Sequence, residues 1–254
     1  MNYTKFVLIH APRSGSNFLM SKIQSHPNTA TFSEIFNAND KSNEYQNFCH
    51  ALALMDVTIE RAISIRELNQ STFLNEVIFK EDYPDFIEAV GFKITYEDLF
   101  NNKDVMNYIL ENDSVKVIHL IRENLFDIYI SFRRALLTKQ WVIHRWTSPN
   151  LSDELSFHVD VKQCEIFFTN LEQMRSHVQE LYKNKNTLEL EYCDLVEGIW
   201  EPDLQNHLRL SKADLAANVS KNQKINHSLV IENYQEVQNY FKNSQWSTFF
   251  STSP

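Results

Sequence analysis

Glycine is scarce in this chain. Only Gly15, Gly91 and Gly198 occur in 254 residues, against about 7% in average usage, which excludes glycine-rich repeats and flexible linkers and gives weight to each position where one stands. Cysteine is equally sparse: Cys49, Cys164 and Cys193 are an odd, widely spaced set, so neither a disulfide framework nor a paired-cysteine zinc site is indicated, and free thiols in a reducing compartment are expected. No run of eighteen apolar residues is present and the first residues enter an apolar strand pattern directly, so neither a membrane span nor a secretory leader is expected, and the cytoplasm is the expected location. Basic residues are outnumbered, 24 Lys and Arg against 33 Asp and Glu, for a net charge of −9. A basic field suited to nucleic acid is thereby excluded. Nine histidines are present, but none stands at a ligand spacing from another His or a Cys, and no metal is assigned.

What is present is an alternation of strand-like and helix-like segments. The pattern predicts strands over 5–10, 90–95, 115–121 and 187–192, and helices over 16–26, 103–112, 123–137 and 158–184, with further helical stretches between 44 and 82. Val115 to Ile121 is nearly continuously apolar, as expected of a strand covered by helices on both faces. The reading is α/β: a parallel sheet flanked by helices, with 43% hydrophobic residues sufficient for one domain over 1–254. Ligands of such sheets bind beyond the carboxyl ends of the strands. That rule collects His10 to Asn17, the end of strand 90–95, Arg122 and Tyr192 along one rim.

The first strand, Phe6 to His10, runs into Ala11-Pro12-Arg13-Ser14-Gly15-Ser16-Asn17-Phe18 and then a helical pattern. Convergent backbone N–H groups of such a loop, with the positive end of the following helix, form an anion site. The loop is not the nucleoside-triphosphate pattern G-x-x-x-x-G-K-[ST], because its first Gly and its Gly-Lys pair are missing. Farther on, the strand Val115 to Ile121 leads into Arg122-Glu123-Asn124, and Ser131 follows nine residues after Arg122 on the next predicted helix.

Together these two segments resemble the sulfotransferases that use 3′-phosphoadenosine 5′-phosphosulfate (PAPS), and are most similar to the bacterial carbohydrate sulfotransferases that act on trehalose, nodulation-type glycolipids or lipopolysaccharide. The resemblance implies a nucleotide-binding fold related to that of P-loop proteins. It implies that Arg13, Ser14, Gly15, Ser16, Asn17 and Phe18 hold the 5′-phosphosulfate and that Arg122 and Ser131 hold the 3′-phosphate. Two softer segments extend it. Tyr192, in Glu191-Tyr192-Cys193-Asp194-Leu195, matches a tyrosine that approaches the adenine. Lys221, Gln223 and Lys224 lie in a stretch like the loop that closes over the 3′-phosphate.

For the acceptor hydroxyl the resemblance implies a general base. Many cytosolic relatives use a His two places after a Lys, where this chain has Lys93 and then Thr95. Carbohydrate-type relatives use a Glu soon after the first helix, and Glu34 matches it. Flanked by Phe32, Ile35 and Phe36, Glu34 is expected to have a raised pKa. Arg13 is expected to neutralise charge on the breaking S–O bond as a permanent cation. No metal cofactor is implied.

The stretch 139–149, with Trp141, His144, Arg145 and Trp146, suits a sugar acceptor, and equally helix packing or a subunit interface. The apolar helices between 44 and 82 suit a lipid-linked alcohol, while a carbohydrate or glycoconjugate is the preferred acceptor. Monomer and homo-oligomer remain equally open, as does the role of the aromatic cluster Trp246 to Phe250. Two other readings stand beside the transferase: a small-molecule kinase with an atypical loop, and a noncatalytic nucleotide-binding protein.

Overall fold

Five short runs of β-branched, aromatic and other apolar residues pair into one sheet in a computed structural model that describes residues 2–37, 44–48, 50–142, 155–219 and 226–250. The strands are β1 (Thr4–His10), β2 (Thr29–Thr31), β3 (Ala89–Thr95), β4 (Val115–Ile121) and β5 (Thr187–Glu191). All pairings are parallel, in the order β2-β3-β1-β4-β5. The three-residue β2, absent from the sequence reading, lies at one edge; its brevity leaves no periodicity to detect.

Because β1 is central, the chain leaves it toward β2 on one side and later crosses from β3 to β4 on the other. Right-handed crossovers in opposite directions put their helices on opposite faces and open a crevice at the carboxyl end of β1. Two apolar layers record this. Leu8 and Phe6 of β1 pack with Leu19, Met20 and Ile23 of the helix Ser16–Gln24 and with Trp200, Leu204 and Leu208. Val7 and Ile9 face a larger layer that includes Phe92, Phe126, Phe168 and Phe241.

At Gly91 of β3 there is no room for a side chain: a Cβ would stand 2.4 Å from the Phe6 carbonyl and 2.5 Å from its ring. The expected helices are present, with boundaries set by local caps: Asn124 accepts from the Asp127 N–H at the start of Leu125–Thr138, and Asp160 caps Val161–Tyr182. Strand β5 ends one residue earlier than expected, so Tyr192 begins the short helix Tyr192–Glu197. Thr95 closes β3 and caps Tyr96–Asn101, a helix the sequence reading lacked.

The stretch 44–82 yields Glu44–Phe48, Ile59–Leu68 and Gln70–Phe73, the last running into a wider helical turn, Leu74–Ile78. The C-terminal aromatic cluster packs on its own domain. Phe250 lies 4.4 Å, centroid to centroid, from Phe126, and Trp246 Nε1 donates to Glu172 at 2.9 Å. Among the described residues no helix is long and apolar enough to cross a membrane.

Candidate active site

The loop after β1 is held open by its own backbone. Gly15 has φ +95°, and a Cβ there would come within 2.9 Å of the Tyr192 ring. Arg13, two residues earlier, also adopts positive φ, 63°, a conformation disfavoured for a side chain with a Cβ. Ser14 is fully buried and its hydroxyl donates to the Ala11 carbonyl at 2.8 Å, so it braces the loop. Ser16 and Asn17 open the helix that follows.

Arg122, at the end of β4, crosses to this loop. Its Nη1 donates to the Arg13 carbonyl at 3.1 Å, its Nη2 pairs with Asp127 at 2.9 Å, and its guanidinium lies over the Tyr192 ring at 4.3 Å. Its Nε is buried with no hydrogen-bond partner. Arg13 Nε donates to Ser131 Oγ at 2.9 Å and its Nη1 to the carbonyl of Trp141. Burial and the positive charge of Arg122 push Arg13 down to about 10, so it stays a cation at neutral pH but an electrostatically strained one. Arg13, Gly15, Arg122, Ser131 and Tyr192, distant in sequence, thus form one cluster.

Asp127 joins this cluster to the C-terminal segment, through His227 Nε2 at 2.8 Å. Lys221, Gln223 and Lys224 lie outside the described residues, as do His144, Arg145 and Trp146 of the stretch considered for the acceptor. Tyr192 is corrected in its setting. It is the first residue of a helix, and its ring packs on Gly15 and under Arg122.

A second cluster lies on the β3 side. Glu34 stands in a turn three residues past β2, positioned by the buried Phe32, Ile35 and Phe36 around it. Its Oε1 accepts from Lys93 Nζ at 2.9 Å and lies 3.8 Å from His10 Nε2; its Oε2 accepts from Asn37 at 3.2 Å. Lys93 also donates to Asn17 Oδ1, linking Glu34 to the loop.

The expected rise in the Glu34 pKa is not what the structure gives. Burial does act to raise it, but the charges of Lys93 and His10 and the hydrogen bonds from Lys93 and Asn37 outweigh burial and hold it down at about 2. The sequence showed the apolar flank of Glu34 but not that Lys93, 59 residues away, would meet it. Asp98 behaves in the opposite way: burial lifts it to about 6, against a hydrogen bond from Thr95.

Beside Glu34, Asn37 opens a groove of about 510 Å³, lined also by Arg66, Asn69, Gln70 and Asn102. Among the described residues, the ligand atoms of Glu191, Cys193 and Asp194 lie within 4.8 Å of one another, at the surface. Burial and the two neighbouring carboxylates raise the Cys193 thiol, which disfavours the thiolate a metal needs.

No protein-family model matches the chain. It is similar to nodulation protein H of Rhizobium tropici, 24% identical over 192 residues that span 75% of this chain and 69% of the relative. Nodulation protein H of Rhizobium meliloti (strain 1021) is 23% identical over 191 residues, 74% of this chain and 69% of that one. Two solved structures align with nearly the whole chain. One is a sulfotransferase from Alicyclobacillus acidocaldarius, at 10% identity and a TM-score of 0.50, over 95% of this chain and 92% of the other. The second is the sulfotransferase domain from the curacin biosynthetic pathway, at 12% identity and a TM-score of 0.50, over 98% and 96%.

Proposed function

The chain has the sulfotransferase fold, and we propose that it is an enzyme transferring the sulfuryl group of PAPS to an acceptor hydroxyl. The observation that carries this reading is the pair Arg13 and Arg122, two guanidiniums drawn together at the carboxyl rim of the sheet with a buried N–H donor left over. Asp127 offsets part of that charge, and a phosphate-bearing ligand would relieve the rest through charge-assisted hydrogen bonds.

PAPS supplies an activated sulfuryl group with adenosine 3′,5′-bisphosphate as its leaving group. The loop N–H groups from Ser14 to Phe18, with the Ser16 hydroxyl and the end of the helix, hold the 5′-phosphate. Arg122 and Ser131 hold the 3′-phosphate, with Lys221, Gln223 and Lys224 closing over it. Tyr192 carries the Arg122 guanidinium on its ring and flanks the adenine. Arg13 offsets the charge that grows on the leaving phosphate as the S–O bond breaks. Glu34 accepts the acceptor proton and Asn37 orients it. In-line geometry and preorganised charge supply most of the rate, as in phosphoryl transfer.

A metal has no step in this scheme. The acceptor we favour is a carbohydrate or glycoconjugate, because the groove at Asn37 is lined mainly by polar groups, the amides of Asn69, Gln70, Asn101 and Asn102 with Arg66, Lys103, Glu67 and Asp104, suited to multiple hydroxyls. The enzyme works as one domain over 1–254 in the cytoplasm, which suits the unpaired Cys164 and Cys193.

The test is calorimetric titration with adenosine 3′,5′-bisphosphate, ADP and 5′-AMP, on the wild type and Arg122→Ala, followed by PAPS turnover against a panel of alcohols. Binding that needs the 3′-phosphate and is lost in the variant supports the reading. Equal binding of ADP, strengthened by magnesium, favours a kinase. Binding of PAPS without turnover on any alcohol favours a noncatalytic protein.

A further inference from the structure

His10 is the last residue of β1 and is 1% exposed. Its Nδ1 lies 2.8 Å from the Ala11 carbonyl, which can only accept, so the proton sits on Nδ1. That fixes the tautomer and leaves Nε2 with an unshared pair. Nε2 is buried and has no hydrogen-bond partner, an uncommon condition for a buried polar atom. It faces Glu34 Oε1 at 3.8 Å, about an ångström beyond hydrogen-bond reach. A buried acceptor beside the general base, with its own tautomer locked from behind, is a place for a proton to go.

We propose that His10 is a positioning residue that receives, through Glu34, the proton lost by the acceptor hydroxyl. The proposal rests on the sulfotransferase reading and extends it. As a lone pair of the acceptor oxygen forms the new S–O bond, the S–O bond to adenosine 3′,5′-bisphosphate breaks and its electron pair leaves on the phosphate oxygen; the acceptor O–H bond breaks, its electrons stay on the acceptor oxygen, and its proton bonds to Glu34. The O–H bond at Glu34 then breaks, an N–H bond forms at His10 Nε2, and Glu34 returns to a carboxylate beside an imidazolium. Closing the gap takes a small rotation of the Glu34 side chain.

The need for such a partner follows from the cluster. Lys93 and Asn37 both donate to Glu34 and favour its carboxylate form, so a proton taken up there is readily passed on. The groups facing His10 are Lys93 from β3, Glu34 from the turn after β2, and His119 from β4, itself hydrogen-bonded to Tyr96 and Glu189. Burial and Lys93 favour the neutral ring while Glu34 favours the cation, and burial prevails, so the resting ring is neutral with Nε2 open.

The test uses the full-length protein with ¹⁵N-labelled histidine, followed by NMR as pH is lowered, for the wild type and Glu34→Gln. The expected result is an unprotonated Nε2 at pH 7 and a protonation midpoint that falls further in Glu34→Gln, because the favourable charge is gone. An Nε2–H tautomer, or a midpoint that ignores Glu34, overturns the proposal, and neither outcome depends on turnover.

A kinetic arm uses His10→Asn, whose amide still donates to Ala11 but lacks Nε2, with the alcohol that turns over best. We expect kcat to fall about tenfold or more at pH 7, with KM and bisphosphate affinity within about twofold, and the deficit to shrink as pH rises and solvent takes the proton. A deficit that is the same at every pH, or a kcat within about twofold of wild type, overturns the proton role. Should His10→Asn fail to fold, the NMR comparison decides. Loss of bisphosphate binding in the wild type would instead refute the sulfotransferase reading itself.

Discussion

The two halves of the site treat charge in opposite ways. On the β4 side, Arg13 and Arg122 repel one another, with Asp127 as the carboxylate paired to Arg122 and a buried N–H of Arg122 left over. On the β3 side, Lys93 already has Glu34 and Asn17 for partners. The first half carries uncompensated positive charge and a spare buried donor, so on the proposed reading its residues should report on ligand binding. In the second the charges are already paired and only the His10 Nε2 lone pair is left open, so its residues should report on chemistry.

The sharpest way to break this contrast is Glu34→Gln. Turnover should fall by about a hundredfold or more, the range for a lost general base, while bisphosphate affinity, measured by calorimetry, changes by less than about threefold. A comparable loss in affinity would merge the two halves. Next in size is Arg122→Ala, which should weaken adenosine 3′,5′-bisphosphate by about a hundredfold, since hydrogen bonds to charged groups contribute roughly 1.5–3 kcal/mol each. ADP binding should weaken far less. If both nucleotides lose equally, Arg122 acts on the loop through the Arg13 carbonyl and not on the 3′-phosphate.

Gly15→Ala tests the loop that joins the halves. Positive φ and a Cβ pressed against Tyr192 should lower stability by about 1–3 kcal/mol, read as a lower melting temperature, with saturating bisphosphate restoring part of it by mass action. An unchanged melting temperature would show the loop to be slack.

The smallest effect concerns acid. His10 and His207 are each held near 4, both mainly by burial. The unfolded chain therefore binds more protons between about pH 6.5 and 4, and stability should fall as pH drops through that window. Asp98, lifted to about 6 by burial, opposes part of the fall, because its native form keeps a proton the unfolded chain has lost. Below this window Glu34, held at about 2, removes further stability as it protonates. His207→Gln should flatten the slope in denaturant titrations at pH 6.5, 5.5 and 4.5; a parallel slope would exclude His207 as a contributor.

Much of this architecture was legible beforehand for local reasons. Apolar runs such as Val115–Ile121 are long enough to announce a buried strand, and the loop around Gly15 sits where a strand meets a helix, so the parallel sheet and the loop at its rim follow from adjacent residues. β2 was not legible, since three residues carry no period. Nor was the helix at Tyr96, which Thr95 starts by capping immediately after a strand. Arg13 gave no sign of its positive φ, because arginine has no preference for that conformation.

By itself, the sequence determined the longer strands and helices and the strand-loop-helix around Gly15, because each depends on neighbours along the chain. Tertiary structure alone decided the charge environment of the site residues. Lys93 meets Glu34 across 59 positions and reverses the shift its apolar flank implies, Arg122 strains Arg13 across more than a hundred, and His10 is left with an open lone pair. Electrostatic energy depends on distance and burial in space, and neither is set by separation along the chain.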